Sequence, residues 1–231
     1  MMLALSKNMV QSHAALKRGP GLDRWRFTAH DIFGKTVGIV GIGKIGTRTA
    51  ELCRAFSMRV LACDPYLTEG QVRERGATKV DLATLLRESD FISVHCPRTP
   101  ETLNMFGAAE FAAMKTGAFF INTARGGTYD ETALAAALEA GRLAGAGVDV
   151  FVEEPPAPDH PLLWRDNVIA SPHIAGMTWE ALHEMGRYTA LQWCDILDGK
   201  VPPRLVNPAA WPRYRERFTR IFGHAPVELQ P

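Results

Sequence analysis

Three side chains, far apart along the chain, together have the chemistry of carbonyl reduction. Arg125 stands in N-T-A-R-G-G, Glu154 in V-E-E-P-P and His173 in S-P-H-I-A-G. An imidazole gives and takes a proton near neutral pH. A carboxylate behind it holds its orientation and favours its charged form. A guanidinium offers a planar fork to a carboxylate and the oxygen beside it. A carbonyl oxygen that gains negative charge needs such a proton donor and such an electrophilic clamp. Residue types alone leave rivals open: Glu153 beside Glu154, and His95, His160 and His183 for the histidine. His183 falls in a helical stretch and His160 in a proline-rich loop, so both read as structural or exposed.

A second constellation points to a dinucleotide. Gly41, Gly43 and Gly46 spell G-x-G-x-x-G, with Lys44 and Ile45 between the last two. The motif is weak alone, but here it follows an apolar run directly and opens a helical stretch. The first glycine makes the tight turn, the second admits a pyrophosphate to the backbone, and the third lets helix and strand pack closely. The N–H groups at the helix start then face the phosphates. An acid is expected about 20 residues further on, and Asp64 stands there in L-A-C-D-P. Its carboxylate accepts bonds from both ribose hydroxyls and repels a 2′-phosphate. Pro65, Tyr66 and Leu67 add no base, so the expected cofactor is NAD.

These residues need a scaffold, and the apolar pattern supplies one. Short β-type runs fall at 36–40, 58–63, 91–95, 117–122, 143–150 and 167–171; helical patterns cover 43–57, 81–89, 131–141 and 178–198. Buried strands without alternation, separated by helices, predict a parallel sheet covered on both faces. With right-handed crossovers this is an α/β fold, a doubly wound Rossmann sheet. Ligands of such sheets lie beyond the carboxyl ends of the strands. Cys96, Pro97, Arg125, Glu154 and His173 follow predicted strands there, and Asp149 stands at the end of one. Residues 1–17 read as one amphipathic helix, with Leu3, Met9 or Val10, His13 and Leu16 at helical spacing.

Composition narrows the classes. Lys plus Arg is 26 and Asp plus Glu 25, a net charge of +1, which disfavours a nucleic-acid binder. The four cysteines, Cys53, Cys63, Cys96 and Cys194, form no C-x-x-C pair. Reduced, buried thiols are expected, with no metal site. No apolar run has the roughly 18–20 residues needed to span a bilayer. A cytoplasmic protein is expected.

The segments KTVGIVGIGKIG, HCPRTPET, INTARGG, GAGVDVFVEEP and SPHIAG, in this order from about Lys35 to Gly176, resemble the D-2-hydroxyacid dehydrogenase family. The resemblance implies hydride transfer between NAD and a 2-oxo or 2-hydroxy acid, with Arg125, Glu154 rather than Glu153, and His173 as the catalytic set. It implies that the glutamate bonds the histidine and that the arginine binds the carboxylate and oxo group. Asp149 matches the aspartate that contacts the nicotinamide carboxamide. His95, Cys96 and Pro97, with Thr102 nearby, match the loop that lines the cofactor. Thr123, Ala124, Arg125, His173 and Gly176 complete the expected cofactor contacts. Arg98 stands where the family usually has leucine.

The resemblance also implies a domain plan. Residues 1–198 form the NAD-binding domain, with 1–17 as a crossing helix and 18–35 as a dimer-type loop. Residues 199–231 return to a first, flavodoxin-like lobe that is expected to be largely absent. A homodimer is expected. The alternative is a non-catalytic NAD-binding module similar to dehydrogenase-like corepressors. Formate-oxidising relatives typically carry Gln where this chain has Glu154, which ranks them low.

Overall fold

A computed structural model describes residues 1–19 and 23–228; part of the 18–35 loop therefore lies outside the described residues. The chain divides into two compact units, Met1–Ala175 and Gly176–Pro231.

The first unit is built on seven parallel strands: β1 (Thr36–Val40), β2 (Arg59–Cys63), β3 (Thr78–Lys79), β4 (Phe91–Val94), β5 (Ala118–Asn122), β6 (Leu143–Val148) and β7 (Val168–Ala170). Their order across the sheet is β3-β2-β1-β4-β5-β6-β7, a doubly wound sheet as the pattern predicted. The helices are α1 (Met2–Ser6), α2 (Met9–Lys17), α3 (Lys44–Ala55), α4 (Glu69–Glu74), α5 (Leu82–Glu88), α6 (Ala108–Ala113) and α7 (Glu131–Glu139).

Successive strand residues feed two cores. Phe120, Ile92 and Val94 pack with Leu85 of α5, Phe111 of α6 and Leu134 of α7 on one face. Phe119, Ile121, Phe91, Val37 and Ile39 pack with Leu5 of α1, Ala50 of α3 and Val72 of α4 on the other. Burial of apolar surface on both faces explains the near-continuous hydrophobic strands. Gly38 shows how closely the layers meet: a Cβ there would lie 2.4 Å from Ser89 Oγ and 2.5 Å from Leu85 Cδ2.

Register aligns the strand ends. Val40 pairs with Cys63 on one side and Val94 on the other. Val94 pairs with Asn122, Asn122 with Val148, and Val148 with Ala170. Residues 41, 64, 95, 123, 149 and 171 therefore leave the sheet along one edge, and the predicted site residues follow them.

The single helix expected over residues 1–17 is two. Asn8 adopts a left-handed conformation (φ 49°) between α1 and α2, which asparagine tolerates better than most residues. Its Nδ2 donates to the Thr28 carbonyl at 3.3 Å. The expected stripe is not the packed face. Leu5 is buried, whereas Leu3, Met9, Val10 and Leu16 are exposed. Met1 and Leu5 instead lie over the bare backbone of Gly147 in β6.

The second unit contains α8 (Trp179–Leu197) and α9 (Trp211–Phe222). Thr178 caps α8 by accepting from Ala181 N–H at 3.0 Å. The sequence pattern assigned α8 to the cofactor domain and did not predict α9. Here the C-terminal end of α8 meets α9: Tyr214 donates to the Ile196 carbonyl at 2.6 Å. Trp211, Tyr214, Phe218 and Phe222 meet in succession along α9 as tilted ring pairs. Cys194 is exposed, unlike the buried thiols of Cys53 and Cys96. Among the described residues no helix is long and apolar enough to cross a membrane.

Candidate active site

The glycine loop is fixed by close backbone packing. Gly41 has φ +84°, and a Cβ on it would lie 2.8 Å from Cys96 N. A Cβ on Gly46 would lie 2.3 Å from the Gly41 carbonyl oxygen. Nothing lies within 4 Å of a Cβ position on Gly43, so open space remains over the start of α3. Lys44 and Ile45 form the first residues of that helix, with N–H groups that have no partner in the preceding turn.

Asp64, at the end of β2, is tied to this loop. Its Oδ2 accepts from Ile42 N–H at 3.1 Å and its Oδ1 from Tyr66 N–H at 3.1 Å. One bond to each oxygen leaves acceptor capacity for a ribose diol. Arg75, which sequence reasoning passed over, donates to the Ile42 carbonyl at 2.7 Å and holds the loop from the far side. An open helix start beside glycines that exclude any side chain, with an acid at the next strand end, fits NAD.

A cavity of about 560 Å³ runs along the edge, lined by Ile45, His95, Cys96, Pro97, Arg98 and residues 123–125. His95 is neutral at physiological pH because burial pushes it down to about 4. Its Nε2 pairs with Ser93 Oγ at 2.9 Å. Burial likewise raises the Cys96 thiol above its usual range. Thr102 folds the following loop on itself, donating to the Pro97 carbonyl at 2.7 Å and accepting from Thr99 N–H at 2.8 Å.

Arg125 is exposed on the loop after β5, and two buried residues that sequence reasoning missed shape that loop. Asn122 Nδ2 donates to Thr128 Oγ1 at 2.8 Å, and its Oδ1 accepts from Ala124 N–H at 2.9 Å. Thr128 Oγ1 in turn donates to the Arg125 carbonyl at 2.9 Å. A polar residue ending the apolar run A-F-F-I-N was the available signal. Gly126 brings this loop onto the next one: a Cβ there would lie 1.8 Å from the Phe151 carbonyl oxygen.

Phe151 N–H donates to Glu154 Oε1 at 3.0 Å, and Glu154 Oε2 meets His173 Nδ1 at 2.8 Å. The histidine bond, with the Phe151 N–H, holds the Glu154 carboxyl below its usual value despite some desolvation. With Glu154 ionised, Nδ1 carries a hydrogen and Nε2 is the ring nitrogen left for a substrate. Glu153, the rival carboxylate, has no such partner in the described structure. His160 is structural: it pairs with Glu131 at 3.1 Å and meets the Phe151 ring edge-on at 5.3 Å. His183 is exposed on α8.

His173 has φ +55°, a left-handed conformation uncommon outside glycine. Asp149 stabilises it. The Asp149 carbonyl accepts from His173 N–H at 2.7 Å. The buried Asp149 carboxylate accepts from Ile174 N–H at 2.9 Å, Ala175 N–H at 2.8 Å and Ser171 Oγ. Asp149 thus clamps the loop that presents His173, a role its expected cofactor contact did not suggest. Gly176, the remaining expected cofactor residue, opens the second unit.

Residues 1–175 match the family described as D-isomer specific 2-hydroxyacid dehydrogenase, NAD binding domain. The chain belongs to the D-isomer specific 2-hydroxyacid dehydrogenase family. Its first unit is that family's NAD-binding domain. The chain is 43% identical over 207 residues to D-3-phosphoglycerate dehydrogenase of Archaeoglobus fulgidus, covering 90% of this chain and 39% of the relative. It is 38% identical over 210 residues to glyoxylate reductase of Korarchaeum cryptofilum, covering 90% and 63%. Among solved structures, D-lactate dehydrogenase with NAD+ from Lactobacillus jensenii aligns with a TM-score of 0.81 at 30% identity, covering 89% of this chain and 66% of that one. The chain therefore spans between two fifths and two thirds of the length of these dehydrogenases.

Proposed function

We propose that this chain carries the cofactor-binding and acid–base half of an NAD-dependent 2-hydroxyacid dehydrogenase, acting between a 2-oxo acid and the D-2-hydroxy acid. The observation that carries the reading is the His173–Glu154 pair at 2.8 Å, on the same sheet edge as the glycine loop and Arg125. NAD, when bound, supplies or accepts the hydride. Gly41, Gly43, Lys44, Ile45 and Gly46 hold its phosphates, Asp64 its ribose, and His95 to Pro97 with residues 123–124 its remaining surface. Arg125 holds the substrate carboxylate. His173 donates a proton from Nε2 to the oxo oxygen during reduction, and takes it back during oxidation. Glu154 bonds Nδ1 and orients the ring for both directions.

A 2-oxo acid such as those implied by the relatives' names is the expected substrate. A homodimer through α1 and α2 is supported by the apolar side chains Met9, Val10 and Leu16 that α2 leaves exposed. A cytoplasmic setting is in keeping with four unpaired cysteines.

The test is NADH oxidation against a panel of 2-oxo acids, with NADH affinity measured in parallel by fluorescence. His173→Ala should lower turnover by about 10²–10⁴-fold and leave NADH affinity within about twofold. NADH binding without turnover of any acid by the wild-type chain would favour the non-catalytic module instead.

A further inference from the structure

We infer that Arg98 is a second anion-recognising residue of the active-site cavity, serving a 2-oxo acid that bears another acidic group, carboxylate or phosphate. The inference rests on the dehydrogenase reading and narrows its substrate class. Arg98 and Arg125 line the same cavity of about 560 Å³, and no Asp or Glu lines it. His95 is neutral there, so the charge offered to a ligand is that of two guanidiniums. One carboxylate at Arg125 neutralises half of it. Two guanidiniums over one cavity repel, and a dianion relieves that repulsion better than a monoanion.

Arg98 is available for this role. Its neighbours on the loop are bonded through Thr99 and Thr102. Among the described residues the Arg98 guanidinium itself has neither a hydrogen bond nor an ion pair. It lies instead against bare backbone. Gly127 has φ +75°, and a Cβ on it would lie 3.2 Å from both Cζ and Nε of Arg98. A Cβ at 127 would make the guanidinium give by a few tenths of an ångström.

Position argues that the extra group belongs to the substrate rather than to the dinucleotide's diphosphate. The connection after β4 touches the glycine loop through His95 and Cys96, where Gly41 packs. Arg98 lies further along and rests over Gly127, two residues past Arg125. The diphosphate already has the N–H groups at the start of α3.

Titration calorimetry on the NAD+-loaded chain, which has no hydride to give a 2-oxo acid, tests this, using 2-oxobutyrate as the monoacid, with 2-oxoglutarate and 3-phosphonopyruvate as acids bearing a second anionic group. One of the latter two should bind about 10–100-fold more tightly than 2-oxobutyrate, the range of a charge-assisted bond. Arg98→Leu should erase that margin, and Arg98→Lys should restore part of it. Two results would overturn the inference: no margin in the wild type, or a margin that survives Arg98→Leu, which together with lost NADH affinity would assign Arg98 to the diphosphate. Arg125→Leu separates the two readings, since it should weaken all three acids. If it weakens none, the dehydrogenase reading fails. If it weakens all three while Arg98→Leu leaves the margin, only the Arg98 inference fails.

Discussion

At the β1 end of the sheet edge, the surface offered to a ligand is backbone. Gly41 and Gly46 exclude side chains by contacts under 3 Å, and Gly43 leaves open the helix start. At the β5 to β7 end the surface is side chain: Arg125, Glu154 and His173, each held by other polar groups. Asn122 and Thr128 shape the arginine loop, and Asp149 clamps the histidine loop. The first region tolerates almost no added volume and needs no titratable group. The second also excludes a side chain at Gly126, and it depends on charge and on a strained backbone at His173. A backbone-built site suits a constant ligand such as a dinucleotide. A side-chain site suits chemistry that moves a proton.

Adding volume to the first region should have the largest effect. Gly46→Val puts carbon 2.3 Å from the Gly41 carbonyl oxygen. Overpacking of this kind costs about 3 kcal/mol, equivalent to a fall in Tm of about 6–12 °C. Thermal denaturation should register it, together with loss of most NADH affinity.

In the second region Asp149→Asn should be the most damaging polar change. An amide cannot accept with both atoms from Ile174 and Ala175 N–H groups, so one donor is left without a partner. The expected loss is about 1–3 kcal/mol. Turnover should fall further than the Tm alone implies, because His173 loses its support. Retention of full turnover in this variant would remove Asp149 from the account.

Glu154→Gln should have the smallest effect on stability and the clearest pH signature. The paired Glu154 carboxyl lies below the usual value of 4.5. A depressed carboxyl stabilises the fold above that value and loses its contribution as pH falls below it. The stability difference between wild type and Glu154→Gln should therefore shrink below pH 4.5. In turnover, the loss of negative charge beside His173 should move the high-pH limb of the reduction profile toward acid. A superimposable profile would mean that Glu154 only orients the histidine.

The two regions also differed in how far the sequence revealed them. G-x-G-x-x-G after an apolar run names a backbone conformation, so the glycine loop and Asp64 were readable together with six of the strands. The short elements were not. Helix α4 has a reciprocal cap, Thr68 with Gln71, a T-x-x-Q signal too brief to stand out without its periodic face. Strand β3 has two residues, below any periodicity. The break at Asn8 depends on one residue's left-handed backbone. Arg125, Glu154 and His173 were visible as chemical types, but the choice between Glu154 and Glu153 rested on resemblance, because adjacent carboxylates differ only in direction. The supporting residues Asn122, Thr128 and Asp149 gain their meaning from tertiary contacts across three loops.

The most direct test of the division between these regions is an NADH fluorescence titration of the wild-type chain, Gly46→Val and His173→Ala side by side. Saturable binding in the wild type, retained within about twofold in His173→Ala and lost by at least about tenfold in a folded Gly46→Val, is the result the backbone-built site predicts. Equal affinity in Gly46→Val and wild type, or loss of NADH binding in His173→Ala to the same degree as in Gly46→Val, would contradict it.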